Sequence, residues 1–544
     1  MRLRSMSQRG HSNARSSRHA ALPLAGEMYA LHSEVPELSD TSRWGGAASP
    51  HELAQVLSLI LPLLPLDSRA SATCVCRAWR TATSHPALWE ELNVEHCEVH
   101  VNDVTLARLC ARAGAALRTL YLDKGACMYV TCTGMLAALR EGACTGVRRL
   151  SVPYPKVDFR ALNADMAFQL AATCPMLQSA ACFVRCRLSE AAAVATVLRG
   201  PLQLACEKQD DEVNSSNSDV TQLAECLRIN VDITYLKLAF HSVGAAGAKQ
   251  LAESLRVNTT LTSLDLYGTD IGAEGAALLA DVLRVNTTLS SLDLGGNEIG
   301  NVGAMQLAQC LRVNSTLTSI DLGYNSFTDV EGVTQLAECL RVNSTLTELG
   351  LGGCDFGTAG TMQLVESLRI NTTLTSLNLD SCDIGEASAT QFADCLCVNA
   401  GLKSLDLSMC SFDDIGVTQL ADGLRINTVL TTLNLGWNNF GTVGVTQLAD
   451  CLRVNATLTS LNLSRNNIGD AGATQLAERL RVNTTLTMLN LCYNNIGDAG
   501  ATQLVDCLRV NTTLKCLDVV DNNISAAGER ALRQACLLRA VHAP

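Results

Sequence analysis

The sequence predicts an α/β fold built as a solenoid, with parallel strands inside and helices outside. The first observation is an internal repeat: eleven units open with an equivalent aliphatic residue, 28 residues apart except for one spacing of 29. The second observation is that every unit joins a short alternating segment to a longer segment of helical periodicity. The opening residues are Ile233, Leu261, Leu289, Leu317, Leu346, Leu374, Leu402, Leu430, Leu458, Leu486 and Leu514.

The unit that opens at Leu261 shows both patterns. Leu264 and Leu266 alternate with polar residues, which is the period of a half-buried strand. After a turn, the apolar residues between Ala276 and Leu283 recur at helical spacing. Strands stack about 4.8 Å apart whereas helices need roughly 10 Å. The array should therefore curve into a horseshoe with its strands on the concave face.

Two columns of residues, mostly asparagine, recur along the units. The first closes each helix, and because Asn tolerates the left-handed conformation, we expect it to terminate helices. Its members are Asn230, Asn258, Asn286, Asn314, Asn343, Asn371, Asn399, Asn427, Asn455, Asn483 and Asn511. The second column follows each strand, where a buried amide could bond the loop backbone, and three central cysteines predict a softer middle. Its members are Thr269, Asn297, Asn325, Cys354, Cys382, Cys410, Asn438, Asn466, Asn494 and Asn522.

The pattern L-x-x-L-x-L-x-x-N/C with a helix and this period resembles the leucine-rich repeat of the ribonuclease-inhibitor type. The resemblance covers residues 220–540. Repeats of this type occur in ribonuclease inhibitor, Ran GTPase-activating protein and intracellular immune receptors. The resemblance implies a horseshoe that binds other proteins, and it leaves the function open.

A second resemblance covers residues 47–94, where V-C-R-A-W-R and H-P-A-L-W stand in an otherwise apolar, helical segment. This segment resembles an F-box, a small helical module that docks onto the Skp-type adaptor of cullin–RING ubiquitin ligases. The alternative is a helical cap whose tryptophans fill its own core. The residues that the resemblance assigns to adaptor binding are Pro50, Leu53, Val56, Leu57, Leu66, Val75, Cys76, Trp79, Leu88 and Trp89.

The remaining segments complete the domain prediction. Residues 1–46 are expected to be a disordered tail, with an organellar transit peptide as the alternative for the arginine-rich residues 1–26. Residues 95–206 keep a degenerate strand motif and are predicted to be divergent repeats. Residues 207–219 are a polar linker or loop, at which the array could be interrupted.

The outward positions of the strands and of the turns beside them are the candidate partner-binding surface. Acidic residues, exposed aromatics and an arginine occur there, and aromatics and arginine are typical anchors of protein interfaces. Surface residues without any binding role are the alternative. The candidates are Asp265, Tyr267, Asp293, Asp321, Tyr324, Asp406, Trp437, Arg465, Tyr493 and Asp518.

Composition excludes several functions. A formal net charge of -12 disfavours nucleic acid, and no apolar run is long enough to span a bilayer. Only His241 and His542 lie beyond residue 219, and no phosphate-binding or metal-ligating motif occurs. We therefore expect no catalytic residue, no metal and no cofactor. The 24 cysteines are predicted to be reduced, buried and apolar in character.

These observations favour a non-enzymatic protein-binding chain, the substrate-recognition subunit of a cullin–RING (SCF-type) ubiquitin ligase. Its expected partners are a Skp-type adaptor and a target protein on the concave face, with the chain a monomer within a larger complex. A GTPase-activating or GTPase-binding protein similar to Ran GTPase-activating protein is one alternative, and a scaffold or sensor without ligase coupling is another. The expected location is cytoplasmic, with a nuclear location as the alternative.

Overall fold

The computed structural model describes the repeat array. The described residues are 89–93, 102–122, 130–151, 162–198, 201–206, 217–229, 232–327, 330–355, 357–384 and 388–542. All of them belong to the compact unit Pro86–Pro544. The tail predicted for residues 1–46 lies outside the described residues, and so does the F-box-like segment apart from residues 89–93.

Eighteen strands occur among the described residues, and most have three residues. They are β1 (Glu91–Asn93), β2 (Thr119–Tyr121), β3 (Arg149–Ser151), β4 (Leu162–Asn163), β5 (Ser179–Ala181), β6 (Phe183–Cys186), β7 (Leu202–Cys206), β8 (Ile233–Lys237), β9 (Ser263–Asp265), β10 (Ser291–Asp293), β11 (Ser319–Asp321), β12 (Glu348–Gly350), β13 (Ser376–Asn378), β14 (Ser404–Asp406), β15 (Thr432–Asn434), β16 (Ser460–Asn462), β17 (Met488–Asn490) and β18 (Cys516–Asp518).

Sixteen α-helices alternate with these strands within the described residues. They are α1 (Asp103–Ala113), α2 (Cys132–Glu141), α3 (Ala164–Thr173), α4 (Leu188–Val197), α5 (Asn217–Ile229), α6 (Gly244–Leu255), α7 (Gly272–Leu283), α8 (Gly300–Leu311), α9 (Val330–Leu340), α10 (Gly357–Leu368), α11 (Ala389–Val398), α12 (Asp414–Ile426), α13 (Thr442–Leu452), α14 (Gly469–Leu480), α15 (Asp498–Leu508) and α16 (Ala526–His542).

The strands form two parallel sheets. The larger has 14 strands in the order β18 to β6 followed by β4, and the smaller has the order β1-β2-β3-β5. Equivalent residues of successive units face each other, as Leu264, Leu292 and Ile320 do across β9, β10 and β11. This confirms the predicted α/β solenoid, because the leucines of successive units line up in one parallel sheet.

The two sheets meet at Cys182. This residue lies between the end of β5 and the start of β6, and its carbonyl accepts a hydrogen bond of 3.0 Å from the Gln203 N–H. One extended segment therefore belongs to the small sheet in its first half and to the large sheet in its second. The large sheet is also continuous from β7 to β8, which pair with each other, and α5 begins within the predicted linker range, at Asn217.

The core lies between the sheet and the helices. In the unit around β9, Leu264 and Leu266 of the strand segment are at most 1% exposed, and so is Leu279 of α7. Burying one leucine side chain contributes about 2 kcal/mol, and a single unit has no second layer to cover its leucines. Stacking of neighbouring units therefore provides most of the stability.

The asparagines that close the units do not terminate helices by a left-handed backbone. Asn399 and Asn427 have φ of -68° and -62°, so the expected left-handed conformation is wrong there. In the same column, the Oδ1 of Asn258 accepts hydrogen bonds from Thr260 N and Leu261 N, and its Nδ2 donates to Leu227 O at 2.8 Å. The column thus starts each strand and ties it to the preceding unit.

The second column is also a ladder between units. The Oδ1 of Asn297 accepts from Thr269 N at 2.9 Å, and its Nδ2 donates to Leu266 O at 2.7 Å. A cysteine at this position makes fewer bonds: the Cys382 thiol donates to Leu351 O at 3.2 Å. Burial raises the pKa of the Cys382 thiol to about 12, so it stays protonated.

Candidate functional site

The side of the sheet that faces away from the helices, here called the strand face, carries the predicted partner-binding residues. Its first feature is the last residue of each strand from β9 to β18, which we call the turn column. Its members are Asp265, Asp293, Asp321, Gly350, Asn378, Asp406, Asn434, Asn462, Asn490 and Asp518.

The aspartates and asparagines of the turn column accept the same kind of backbone hydrogen bond. The Oδ1 of Asp293 accepts a hydrogen bond of 2.9 Å from the N–H two residues ahead, at Gly295. The Oδ1 of Asn434 accepts the equivalent bond of 3.0 Å from Gly436. The turn needs only an oxygen acceptor. The negative charge of the aspartates is therefore not required by the fold.

Those charges are concentrated on the earlier units. Asp265, Asp293 and Asp321 face one another directly across β9, β10 and β11. Lys237 forms an ion pair with Asp265 at 2.7 Å. Burial, with the neighbouring charges of Asp265 and Asp321, raises the pKa of Asp293 to about 6. Burial and the charge of Asp380 raise the pKa of Asp321 in the same way.

This arrangement favours the binding of a positively charged group. Carboxylates that lie close together and partly out of water are held in their charged form at a cost, which a cation placed over them would offset. We call Asp293, Asp321 and Asp380 the acidic patch.

The second feature is a column of left-handed residues just after the turn column. Phe240, Tyr324, Trp437, Arg465 and Tyr493 have φ between 56° and 65°. Glycine occupies the same column elsewhere, at Gly268, Gly296 and Gly353. A bulky residue in this conformation is strained by roughly 1–2 kcal/mol, so the large side chains are not there to help the turn.

Three of these residues stack on one another. The Arg465 guanidinium lies 3.9 Å from the centre of the Trp437 ring and 3.8 Å from the centre of the Tyr493 ring. Trp437 is 52% exposed and Tyr493 is 43% exposed. Hydrogen bonding to Asp521 raises the pKa of Tyr493. We call Trp437, Arg465 and Tyr493 the arginine stack.

The other aromatic candidates lie near the acidic patch. The hydroxyl of Tyr324 donates to Asp380 Oδ2 at 3.1 Å. Tyr267 packs edge-on against Phe240, with ring centres 5.3 Å apart. Small residues make room for both rings, because a Cβ on Gly295 would approach the Tyr267 ring to 2.7 Å and one on Gly353 the Tyr324 ring to 2.3 Å.

The predicted surface residues thus fall into groups. Asp293 and Asp321 belong to the acidic patch, and Asp265, Tyr267 and Tyr324 lie beside it. The arginine stack begins two units beyond Asp380, at Trp437.

Two further candidates are separate from both groups. Asp406 Oδ2 accepts a hydrogen bond from Asn434 at 2.9 Å, and Asp518 lies on the terminal strand β18. Asp380, Asp521 and Met409 are not among the residues predicted from the sequence. Alignment of the units on their turn residues would have found them, since they occupy the same or adjoining columns.

Trp89 is the one adaptor-binding candidate among the described residues, and it is a core residue. Its side chain is 1% exposed, and the Arg112 guanidinium lies 5.9 Å from its ring centre. Leu92, three residues later, pairs with Leu120 in the small sheet. This corrects the assignment of Trp89 to adaptor binding, because a side chain so buried presents no surface to a partner.

The remaining adaptor candidates lie outside the described residues. They are Pro50, Leu53, Val56, Leu57, Leu66, Val75, Cys76, Trp79 and Leu88. Within the described ranges, no group of three or more His, Cys, Asp or Glu side chains is placed to hold a metal ion. No helix there has the length and apolar character that crossing a membrane requires.

Comparison with protein-family models gives two matches. Residues 50–95 match the F-box-like model. The Leucine Rich repeat model matches ten segments, at residues 257–280, 285–308, 313–333, 342–365, 371–393, 398–421, 427–449, 454–477, 482–505 and 510–532.

Two solved structures resemble part of the chain. Leiomodin-1 actin-binding site 2 is 22% identical with a TM-score of 0.24, over 26% of this chain and 81% of that one. The tropomodulin C-terminal domain of Caenorhabditis elegans is 12% identical with a TM-score of 0.24, over 26% of this chain and 85% of that one. No curated protein matches the chain in sequence.

Proposed function

The chain belongs to the leucine-rich-repeat proteins that carry an F-box-like segment, and we propose from this that it is the substrate-recognition subunit of a cullin–RING (SCF-type) ubiquitin ligase. Both modules are interaction modules, so the chain is in general terms a protein-binding adaptor of the SCF type. The two modules have different partners. The F-box-like segment binds a Skp-type adaptor, and the strand face binds the target.

The observation that carries the proposal is the pairing of these two modules in one chain. The F-box-like match ends at residue 95, and the first strand of the array, β1, begins at Glu91. The adaptor-binding segment therefore leads directly into the array. A target held on the strand face would then be kept close to the ligase.

Charge on the strand face indicates the kind of target. Asp293 and Asp321 lie side by side. Among the described residues of the turn column, Asp265 is the one that forms an ion pair, with Lys237. A target segment rich in lysine or arginine would relieve the repulsion between these carboxylates. We propose that such a segment binds over the acidic patch.

In this proposal the chain performs no chemistry itself. Its partners in the ligase transfer ubiquitin, and the chain contributes proximity and selectivity. We place it in the cytoplasm, with the nucleus as the alternative, because ligases of this type act on proteins there.

The adaptor contact is tested by Leu53→Ala combined with Leu57→Ala in the full chain. We expect the double variant to lose at least about ten-fold in co-purified Skp-type adaptor, since two apolar contacts of a few kcal/mol disappear. The matched control is Asp293→Asn on the strand face, which should retain the adaptor fully.

Two results would contradict the proposal. One is equal adaptor recovery from the double variant and the wild type, with the far-ultraviolet circular dichroism of both unchanged. The other is recovery of a GTPase with the chain, together with faster GTP hydrolysis by that GTPase when the chain is present. This result would favour the alternative of a protein similar to Ran GTPase-activating protein.

A further inference from the structure

The arginine stack has features that the turn itself does not explain. Its three residues are each one unit apart and each has a φ of 56°, although glycine serves in the same column at Gly268 and Gly296. Their strained backbone is therefore unnecessary for the fold. Large, rigid and exposed side chains of these types are those that most often anchor a partner.

The stack also holds a cation in one orientation. With aromatic rings at 3.9 and 3.8 Å on its two sides, the Arg465 guanidinium is shielded from water on both faces. Stacking restricts the side chain before any partner arrives, so less entropy is lost on binding. The N–H groups at the edges of a stacked guanidinium point away from the rings and match the two oxygens of a carboxylate or phosphate.

No ion pair satisfies this cation within the described residues. Asp521 belongs to the unit beyond Tyr493 and raises the pKa of that tyrosine by hydrogen bonding. Two strand spacings separate the positions of Arg465 and Asp521, which is about 10 Å. The charge of Arg465 therefore remains available to a partner.

The surroundings of the stack differ from those of the acidic patch. The turn column beside it contains the neutral Asn434, Asn462 and Asn490, where β9, β10, β11 and β14 end in aspartates. Because the amide and the carboxylate close the turn equally well, the fold does not require this difference. An anion near Arg465 thus meets no carboxylate on β15, β16 or β17 in the turn column.

We infer that the arginine stack binds an anionic side chain of the target protein, either a carboxylate or a phosphorylated residue. This inference rests on the proposed function, because it takes the strand face as the surface that holds the target. The target segment then has a basic portion over the acidic patch and an acidic or phosphorylated residue at Arg465. The chain would thus recognise a target segment that carries two charges of opposite sign in a fixed order along the array.

The test uses the full chain and labelled peptides of defined sequence. The peptides are about twelve residues long, enough to cross several strands at ~4.8 Å each. They share lysines at one end and differ only at a single position, which is phosphoserine, glutamate, alanine or lysine. Binding is measured by fluorescence polarisation at low salt, where charge contacts are least screened.

We expect the phosphoserine or the glutamate peptide to bind at least about ten-fold more tightly than the alanine peptide, and the lysine peptide to bind most weakly. Whichever anion binds more tightly identifies the source of the negative charge. Arg465→Gln should abolish the preference. Arg465→Lys should weaken it, because lysine keeps the charge but not the planar pair of donors.

Asp293→Asn provides the matched control, since it should weaken all four peptides through their shared lysines and leave the preference at the variable position unchanged. The inference is overturned if the anionic and alanine peptides bind alike, or if Arg465→Gln keeps the wild-type preference. Thermal midpoints of all variants verify that they are folded. Adaptor co-purification with Arg465→Gln separates this result from the proposed function, because that variant should still bind the adaptor.

Discussion

At the scale of single residues, the turn column shows that the backbone hydrogen bond is needed by the fold and the negative charge is not. Asp293 and Asn434 accept the same backbone hydrogen bond, at 2.9 and 3.0 Å, and they differ only in charge. The charge of Asp293 is unfavourable where it lies, as its raised pKa of about 6 indicates. A residue that is kept charged against the preference of the fold is a candidate for binding.

Asp293→Asn should therefore stabilise the protein above pH 6. The folded state raises the pKa of this carboxyl, so folding takes up a proton between the unfolded and the folded pKa, and wild-type stability falls as the pH rises through that range. Discounted for partial exposure, the expected gain for the variant is about 1–2 kcal/mol at about pH 7.5 and close to zero at about pH 4. Urea unfolding at the two pH values measures it.

Asp293→Ala serves as the control for this prediction, because it removes both the charge and the acceptor of the Gly295 N–H. It should be about 1 kcal/mol less stable than Asp293→Asn at either pH. An asparagine variant that is no more stable than the wild type at about pH 7.5 would contradict the raised pKa.

At the scale of the elements, the asparagine ladder joins each turn to the next. Asn297 bonds with both ends of its amide, to Thr269 N and to Leu266 O. At Asn466, Nδ2 donates to Leu435 O at 3.0 Å, but the buried Oδ1 has no partner among the described residues. In the preceding turn, Asn439 N donates to Phe412 O. The ladder is thus uneven along the array.

Asn297→Ala should accordingly cost more than Asn466→Ala. The first variant leaves the N–H groups of Thr269 and Ile271 without their acceptor, and the second removes an oxygen that bonds nothing. The expected difference is about 1–2 kcal/mol in the free energy of unfolding, measured by urea denaturation. Equal losses, or a larger loss at Asn466, would show that the unpaired oxygen finds a partner in solution.

At the scale of the whole molecule, the array has a continuous sheet but a variable ladder. Three successive units replace the amide by a thiol, at Cys354, Cys382 and Cys410, and each thiol donates one hydrogen bond to the preceding unit. In a solenoid each unit contacts only its neighbours, so a run of weaker contacts forms a weak zone. The predicted softness of the middle remains a prediction.

Native-state hydrogen exchange tests it. Backbone amides in the turns of these three units should exchange faster than their equivalents near Asn297 and Asn325, by about ten-fold for each ~1.4 kcal/mol of lost protection. Cys382→Ser is the matched control for the chemistry of the thiol, since a hydroxyl donates a stronger bond and should slow the exchange. Uniform protection along the array would contradict the weak zone.

The binding of one target at both the acidic patch and the arginine stack also depends on the whole molecule. The acidic patch begins at Asp293 of β10 and the arginine stack ends at Tyr493, just after β17, so the distance between their charges depends on the stacking of every unit in between. Their use by one target therefore requires the units between them to stay stacked, and the in-register pairing from β9 to β17 keeps the sheet continuous across the three cysteine units.

The sequence by itself determined the repeat, the strands, the helices and the register, because these follow from local periodicity and from an almost constant unit length. It also located the outward aspartates at the ends of the strands, since strand alternation decides which side chains face outwards. The tertiary structure alone decided that Trp89 is buried, that Asn258 links two units, and that Arg465 stacks between Trp437 and Tyr493. These depend on backbone angles and on contacts between units, which periodicity does not encode.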